Sequence, residues 1–160
     1  MPSPTIRIEG EHAMAHDPIE VWKKMPMKVW PERYWLIDVP AEHGEAVARA
    51  LAHSQSRYVA VIRDQTGFSL VVDEQTWEGH GSAQAERQKF GPLKVISTDG
   101  PLPFDVTGFI KAALEPVNTL GMKAAPQCGA AADHFFCAEA EVDQVAAVFE
   151  RFTAGFGAAR

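Results

Sequence analysis

The 160-residue sequence predicts an α+β fold: two ferredoxin-like βαββαβ modules packed side by side, with antiparallel sheets and helices on one face. Three observations carry that expectation. The apolar pattern alternates between a strand period of two and a helix period near 3.6 along the chain. From residue 33 the elements run β-α-β-β, a polar linker, then β-α-β-β-α, so one unit occurs twice. With 46% hydrophobic and 22% charged residues, the composition is that of a soluble globular chain able to bury a core.

The elements follow in order. Residues 1–32 form an N-terminal extension in which "TIRIEG" alternates like a short strand at residues 5–9. That strand is expected to complete the second unit, which lacks one at its end. "PIEVWKKMPMKVWPE" is punctuated by prolines, carries two of the four tryptophans and has no clean period. Its rings are expected as core or as intramolecular cover.

A first module spans 33–91. "RYWLIDV" (33–39) reads as a strand, and "AEHGEAVARALAHS" as a helix with Val47, Ala50 and Leu51 on its apolar face. "RYVAVIR" (57–63) and "FSLVVDE" (68–74) read as a hairpin turned by "DQTG", where Gly67 can take a positive φ. "EGHGSAQAERQKFG" is a polar linker, either a loop or a short helix.

The second module spans 92–160. "LKVISTD" (93–99) is its first strand, and a helix from Asp105 to Leu120 aligns Phe109, Ile110, Ala113, Leu114 and Val117. Gly121 suits a left-handed position after that helix. "MKAAPQC" and "HFFCAEA" are two further strands. "EVDQVAAVFERF" closes the chain as a helix burying Val142, Val145, Ala146, Phe149 and Phe152.

Charge and composition narrow the partners. There are 15 basic and 21 acidic residues, a net charge of −6, with no basic run, which speaks against nucleic acid and against an anionic membrane surface. No apolar stretch reaches the ~20 residues of a membrane span. The N-terminus lacks the charged and apolar regions of a secretory signal, so a cytoplasmic protein is expected. Cys128 and Cys137 are then expected as free thiols. His12 and His16 stand four apart, but no other histidine has ligand-like spacing, so no metal or other cofactor is expected.

The start of the long helix is the most informative stretch. In "GPLPFDVTGFIKAAL" (100–114), Asp105 is placed as N-cap, accepting from the N–H of Thr107 or Gly108. Free N–H groups at a helix start favour an anionic group such as a carboxylate. Gly108, in the opening turn, removes a Cβ where a ligand or a neighbouring chain would come close.

The run "LKVISTDGPLPFDVTGFIKAALEPVNTLGM", with Gly100, Phe104, Thr107, Gly108 and Pro116 in order, resembles the ACT-domain family. That family includes small bacterial tandem-ACT proteins and the cytosolic arginine sensors of animals. "YVAVIRDQTGFSLVVDE" is similar to the family's paired strands, and the resemblance covers residues 57–152. Two departures are visible. Gly67 and Phe68 stand where an acidic residue usually precedes the strand serine. "APQCGAAADHFF" replaces an S-T-x-x-T-D-like run, of which Asp133 alone is kept.

The resemblance implies an amino acid bound between modules. Asp105, Val106, Thr107 and Gly108 would stand on the loop side, Ser69 and Leu70 on a strand of the first module, and Gln127, Cys128 and Asp133 on strands of the second. It thus implies a non-catalytic regulatory protein sensing an amino acid or related metabolite. Two alternatives belong to other classes. One is an interaction module without ligand, its sheets used for homodimerisation, with Trp22 or Trp30 filling the gap. The other is a thiol enzyme, in which Cys128 and His134 would lie within hydrogen-bond reach.

Overall fold

The computed structural model describes residues 16–157; the strand expected at 5–9 and His12 lie outside them. The element order is α1 (Pro18–Lys24), β1 (Met27–Val29), β2 (Tyr34–Val39), α2 (Gly44–His53), β3 (Ala60–Asp64), β4 (Gly67–Asp73) and α3 (Glu74–His80). It continues with β5 (Gln88–Thr98), α4 (Phe109–Thr119), β6 (Ala125–Cys128), β7 (Asp133–Ala138) and α5 (Val142–Glu150). The fold is α+β, and its strands join one seven-stranded sheet of order β3-β4-β2-β5-β7-β6 rather than two separate sheets. Every strand pair is antiparallel.

The long strand β5 joins the two halves. Its first residues pair with β2 and its last with β7, while β1 pairs with Ile96 to Thr98. Counted from its own first strand, each half therefore has the same strand order. The halves read β5-β2-β4-β3 and β1-β5-β7-β6, a 4-1-3-2 arrangement in both. The strand that completes the second half is Met27–Val29, in the segment that had no legible period. A strand of three residues, set between Pro26 and Pro31, is too short to display alternation. Residues 18–29 are thus part of the second half rather than an appendage to it.

Alternation on the strands sorts the core. Ile37 and Val39 pack under α2 and α3 with Val47, Leu70, Val72 and Trp77. Ile96 and Phe135 pack under α1, α4 and α5 with Trp22, Phe109, Val117 and Phe149. Tyr34 and Val95 face the other way, where Tyr58, Val71 and the half-buried Trp30 cover the sheet. The helices therefore share one face, as expected. Trp22 is fully buried, its ring stacked 4.0 Å from that of Phe109 and its Nε1–H donating to the Phe109 carbonyl at 2.8 Å. Leu51, expected on the buried face of α2, is instead exposed, and Ala46 takes the inner position.

A further helix, α3, follows β4 directly, and only its last three residues, 78–80, fall in the polar linker, which also holds a 3-10 turn over Ala83–Ala85. Asp73 caps α3, its carboxylate accepting from the Thr76 N–H at 2.9 Å. Gly67 takes a φ of +134° in the β3–β4 hairpin, and Gly121 a φ of +76° after α4, both as anticipated.

Candidate functional site

The β5–α4 connection, residues 99–108, decides where a ligand could sit. The helix begins at Phe109, three residues later than an N-cap at Asp105 suggests, because Gly108 adopts a left-handed conformation (φ +78°, ψ 12°) and serves as N-cap. No side chain caps this end. Asp105 is exposed and lies 3.7 Å from His16 Nε2 instead. Ala112 N–H makes the first helical bond, to the Gly108 carbonyl. Among the described residues, no side chain accepts from the N–H groups that open α4, so the partial positive charge of the helix start meets no capping side chain there.

The role expected of Gly108 needs correcting. Among the described residues a Cβ built there meets nothing within 4 Å, so the left-handed backbone, and no neighbouring segment of the chain, calls for the glycine.

A cavity of about 320 Å³ opens beside this helix start. Leu102, Phe104, Val106, Gly108, Phe109, Ile110 and Lys111 line it from the loop and α4, and Cys128, Gly129, Ala130 and Asp133 from the β6–β7 turn. Of the residues expected to form a site, the fold brings together Val106, Gly108, Cys128 and Asp133. Asp105 and Thr107 are exposed beside the cavity without lining it, and Gln127 pairs with His134 in the β6–β7 ladder. Ser69 and Leu70 are not part of this constellation. They stand on β4, separated from β6 by β2, β5 and β7, and Leu70 is wholly buried in the first half's core. Lys111, Leu102 and Phe104 are lining residues that sequence reasoning missed, although "GPLPF" and the T-G-F-I-K start mark the loop and turn they occupy.

Asp133 is the principal ionisable group of the cavity. It is 5% exposed, with its backbone N–H donating to Thr98 Oγ1 at 3.0 Å. Burial raises its carboxyl pKa above the ordinary value, and the Cys128 thiol and Gly129 N–H offset that only in part. A half-desolvated carboxylate facing a cavity is stabilised by a cation placed against it. Lys111 supplies the opposite charge across the same space.

The thiol arrangement fails on geometry. Cys128 stands beside Asp133, and burial and that carboxylate both push its pKa up, away from the thiolate a nucleophile needs. His134, the next residue on β7, projects to the opposite face. Its Nδ1 lies 2.6 Å from Ser97 Oγ, which also accepts from Trp30 Nε1–H at 2.8 Å. Tyr58 tilts over the imidazole with ring centroids 4.6 Å apart. Trp30 therefore covers that far face and Trp22 lies in the core, so neither fills the cavity expected to be plugged in an interaction module. Cys137 is a buried free thiol in the core, as anticipated, and Cys128 an exposed one.

Comparison with solved structures places this architecture. A protein of unknown function from Vibrio cholerae, described as a possible transport protein, superposes with a TM-score of 0.62 at 16% identity, over 81% of this chain and 90% of that one. The regulatory subunit of aspartate kinase from Thermus flavus superposes with a TM-score of 0.54 at 10% identity, over 81% and 96%. The fold is ACT-like. Aspartokinase III of E. coli, in complex with aspartate and ADP, matches with a TM-score of 0.57 at 10% identity, over 81% of this chain and 34% of the kinase. No family model matches the sequence, and no curated protein does. Among the described residues, no helix is long and apolar enough to cross a membrane.

Proposed function

We propose that this chain is a non-catalytic regulatory protein of the cytoplasm that binds an amino acid or closely related metabolite in the cavity at the start of α4. The observation that carries the reading is the buried Asp133 carboxylate facing a cavity whose other polar features are Lys111 and an uncapped helix start. Asp133 would take the α-ammonium, and the Phe109–Lys111 N–H groups with Lys111 Nζ the α-carboxylate. The walls of Leu102, Phe104, Val106 and Phe109 suit an apolar side chain. The regulatory subunit of aspartate kinase supports a regulatory role by fold, and the aspartate-bound kinase supports an amino-acid ligand.

The same reading treats the molecule as two ferredoxin-like modules, 33–91 and 92–160, fused through β5, with residues 1–32 lending the second its fourth strand. The register shift in β5 around Gly91 and Pro92 supports that boundary. A homodimer, formed along the exposed edge strand β3 where Ile62 is half exposed, is the competing use of the fold.

A thermal-shift screen of the twenty amino acids at millimolar concentration tests the proposal. A ligand at ~100 times its Kd adds about 2.7 kcal/mol, a shift of several degrees. Asp133→Asn should abolish that shift. Silence across the panel, or an equal shift in the variant, transfers the weight to the dimerisation module.

A further inference from the structure

A second, larger cavity lies on the outer side of α4. It is a groove of about 690 Å³ between α1, α4 and α5, and it shares only Gly108 and Lys111 with the first. Its floor and walls are apolar, formed by Ile19, Ala112, Pro116, Leu120, Val148 and Phe152. Ile19 and Leu120 are each about half exposed, which leaves costly apolar surface in water.

The groove is polarised along its length. Lys111 sits in the first turn of α4, and Arg151 closes α5. The two belong to the same end, because Trp22 contacts both Phe109, at the start of α4, and Phe152, beside Arg151. Neither cation takes part in an ion pair among the described residues. The uncapped N–H groups of α4 add positive potential at that end. Leu120 marks the other end, nine residues and about 13 Å further along the helix. Glu115 lies between them and is the only carboxylate among the described residues that line the groove.

We propose that this groove binds a medium-chain carboxylate, with its head at Lys111 and Arg151 and its tail along Pro116, Val148 and Leu120. An anionic head on an apolar tail of this length matches both the charge and the apolar run. Glu115 sets a limit on the anion's charge and on its depth. The groove is distinct from the amino-acid cavity but borders it at Gly108 and Lys111, so Lys111 is not a useful reporter.

Octanoate, below its micelle concentration, is the probe, titrated calorimetrically into the full chain beside octylammonium of equal length. Saturable one-to-one binding of octanoate is expected, with octylammonium binding weakly or not at all. Arg151→Gln should weaken octanoate about fivefold, the worth of one exposed charge contact. Leu120→Asp, at an exposed position that folding tolerates, should weaken it further. Asp133→Asn should leave it unchanged. Absence of saturable binding, equal binding of octylammonium, or indifference to Arg151→Gln would overturn the proposal. So would loss of octanoate binding in Asp133→Asn, which would put the anion in the other cavity. An amino-acid screen that fails while octanoate binds sinks the first reading and leaves this one standing.

Discussion

The two halves of the sheet share a strand order and differ where their first strand passes into its helix. In the first half, β2 ends at Val39 and α2 begins at Gly44, with one 3-10 turn over residues 41–43 between them. In the second half, ten residues separate β5 from α4. The residues facing these strand ends across the ladder differ in the same sense. Val39 pairs with Phe68, whereas Thr98 stands by Asp133. The Phe68 ring lies against Gly44, close enough that a Cβ there would meet it at 3.2 Å. An aromatic ring plugs one junction, while the other keeps a carboxylate and an open cavity. A duplicated architecture thus needs only one of its two equivalent junctions to be a site, and a short connection with a bulky neighbour closes the other.

Glycine substitutions test that contrast most severely. At the closed junction Gly67 holds φ +134°, and a Cβ would stand 2.3 Å from the Val39 carbonyl oxygen. Gly67→Ala should therefore cost at least about 2 kcal/mol, because backbone must move. Gly108, at the open junction, has a left-handed backbone but free space around it. Gly108→Ala should cost only about 1 kcal/mol, the left-handed penalty alone. Urea unfolding of both variants gives the ranking. Equal losses would mean that the two junctions are equally tight.

Plugging the open junction comes next. Asp133→Phe copies the residue of the closed side and should remove amino-acid binding while leaving a folded chain, as read by retained thermal unfolding. The pH dependence gives an independent signature. Burial raises the Asp133 pKa in the fold, so its protonated form favours folding below the ordinary carboxylate range. That contribution fades as pH rises through the folded value, leaving a desolvated charge near neutrality. Asp133→Asn should thus gain stability at pH 7 and flatten this part of the profile, even as ligand binding is lost. A loss of stability at pH 7 would mean that the carboxylate is a structural partner.

Much of this arrangement was legible in the sequence, and the gaps have physical causes. The β-branched and aromatic runs of β2, β4 and β7 were legible because all three lie inside the sheet, with β2 and β4 burying residues on both faces. The Trp22 segment was opaque because α1 is seven residues long and β1 three, too short for a period to accumulate. Asp105 misled for a local reason: an Asp before an apolar run is a good cap, yet the T-G pair supplied a left-handed turn closer to that run. Ser69 and Leu70 were placed in the site by family pattern, whereas three strands separate this chain's β4 from β6. Asp133 was legible because it alone survives from a polar run, but the cavity it shares with Lys111 depends on a loop whose path no periodicity encodes.

The smallest effect is expected where the halves are tied at the surface. Arg33 precedes β2, and its guanidinium meets Glu139, just before α5, at 2.9 Å and Glu74 of α3 at 3.8 Å. These pairs hold the Glu139 carboxyl below its usual pKa range. That depression contributes stability above the ordinary carboxylate pKa and loses it as pH falls through the lowered value. All three groups remain in contact with water, so screening leaves the contribution slight and dependent on salt. Arg33→Ala should lower Tm only marginally at low salt and not at all in molar salt. The continuous β5 strand, through its ladders to β2 and β7, already fixes the halves to each other. A large, salt-independent loss would show that the ion pairs, rather than the shared strand, set how the closed and open junctions are placed.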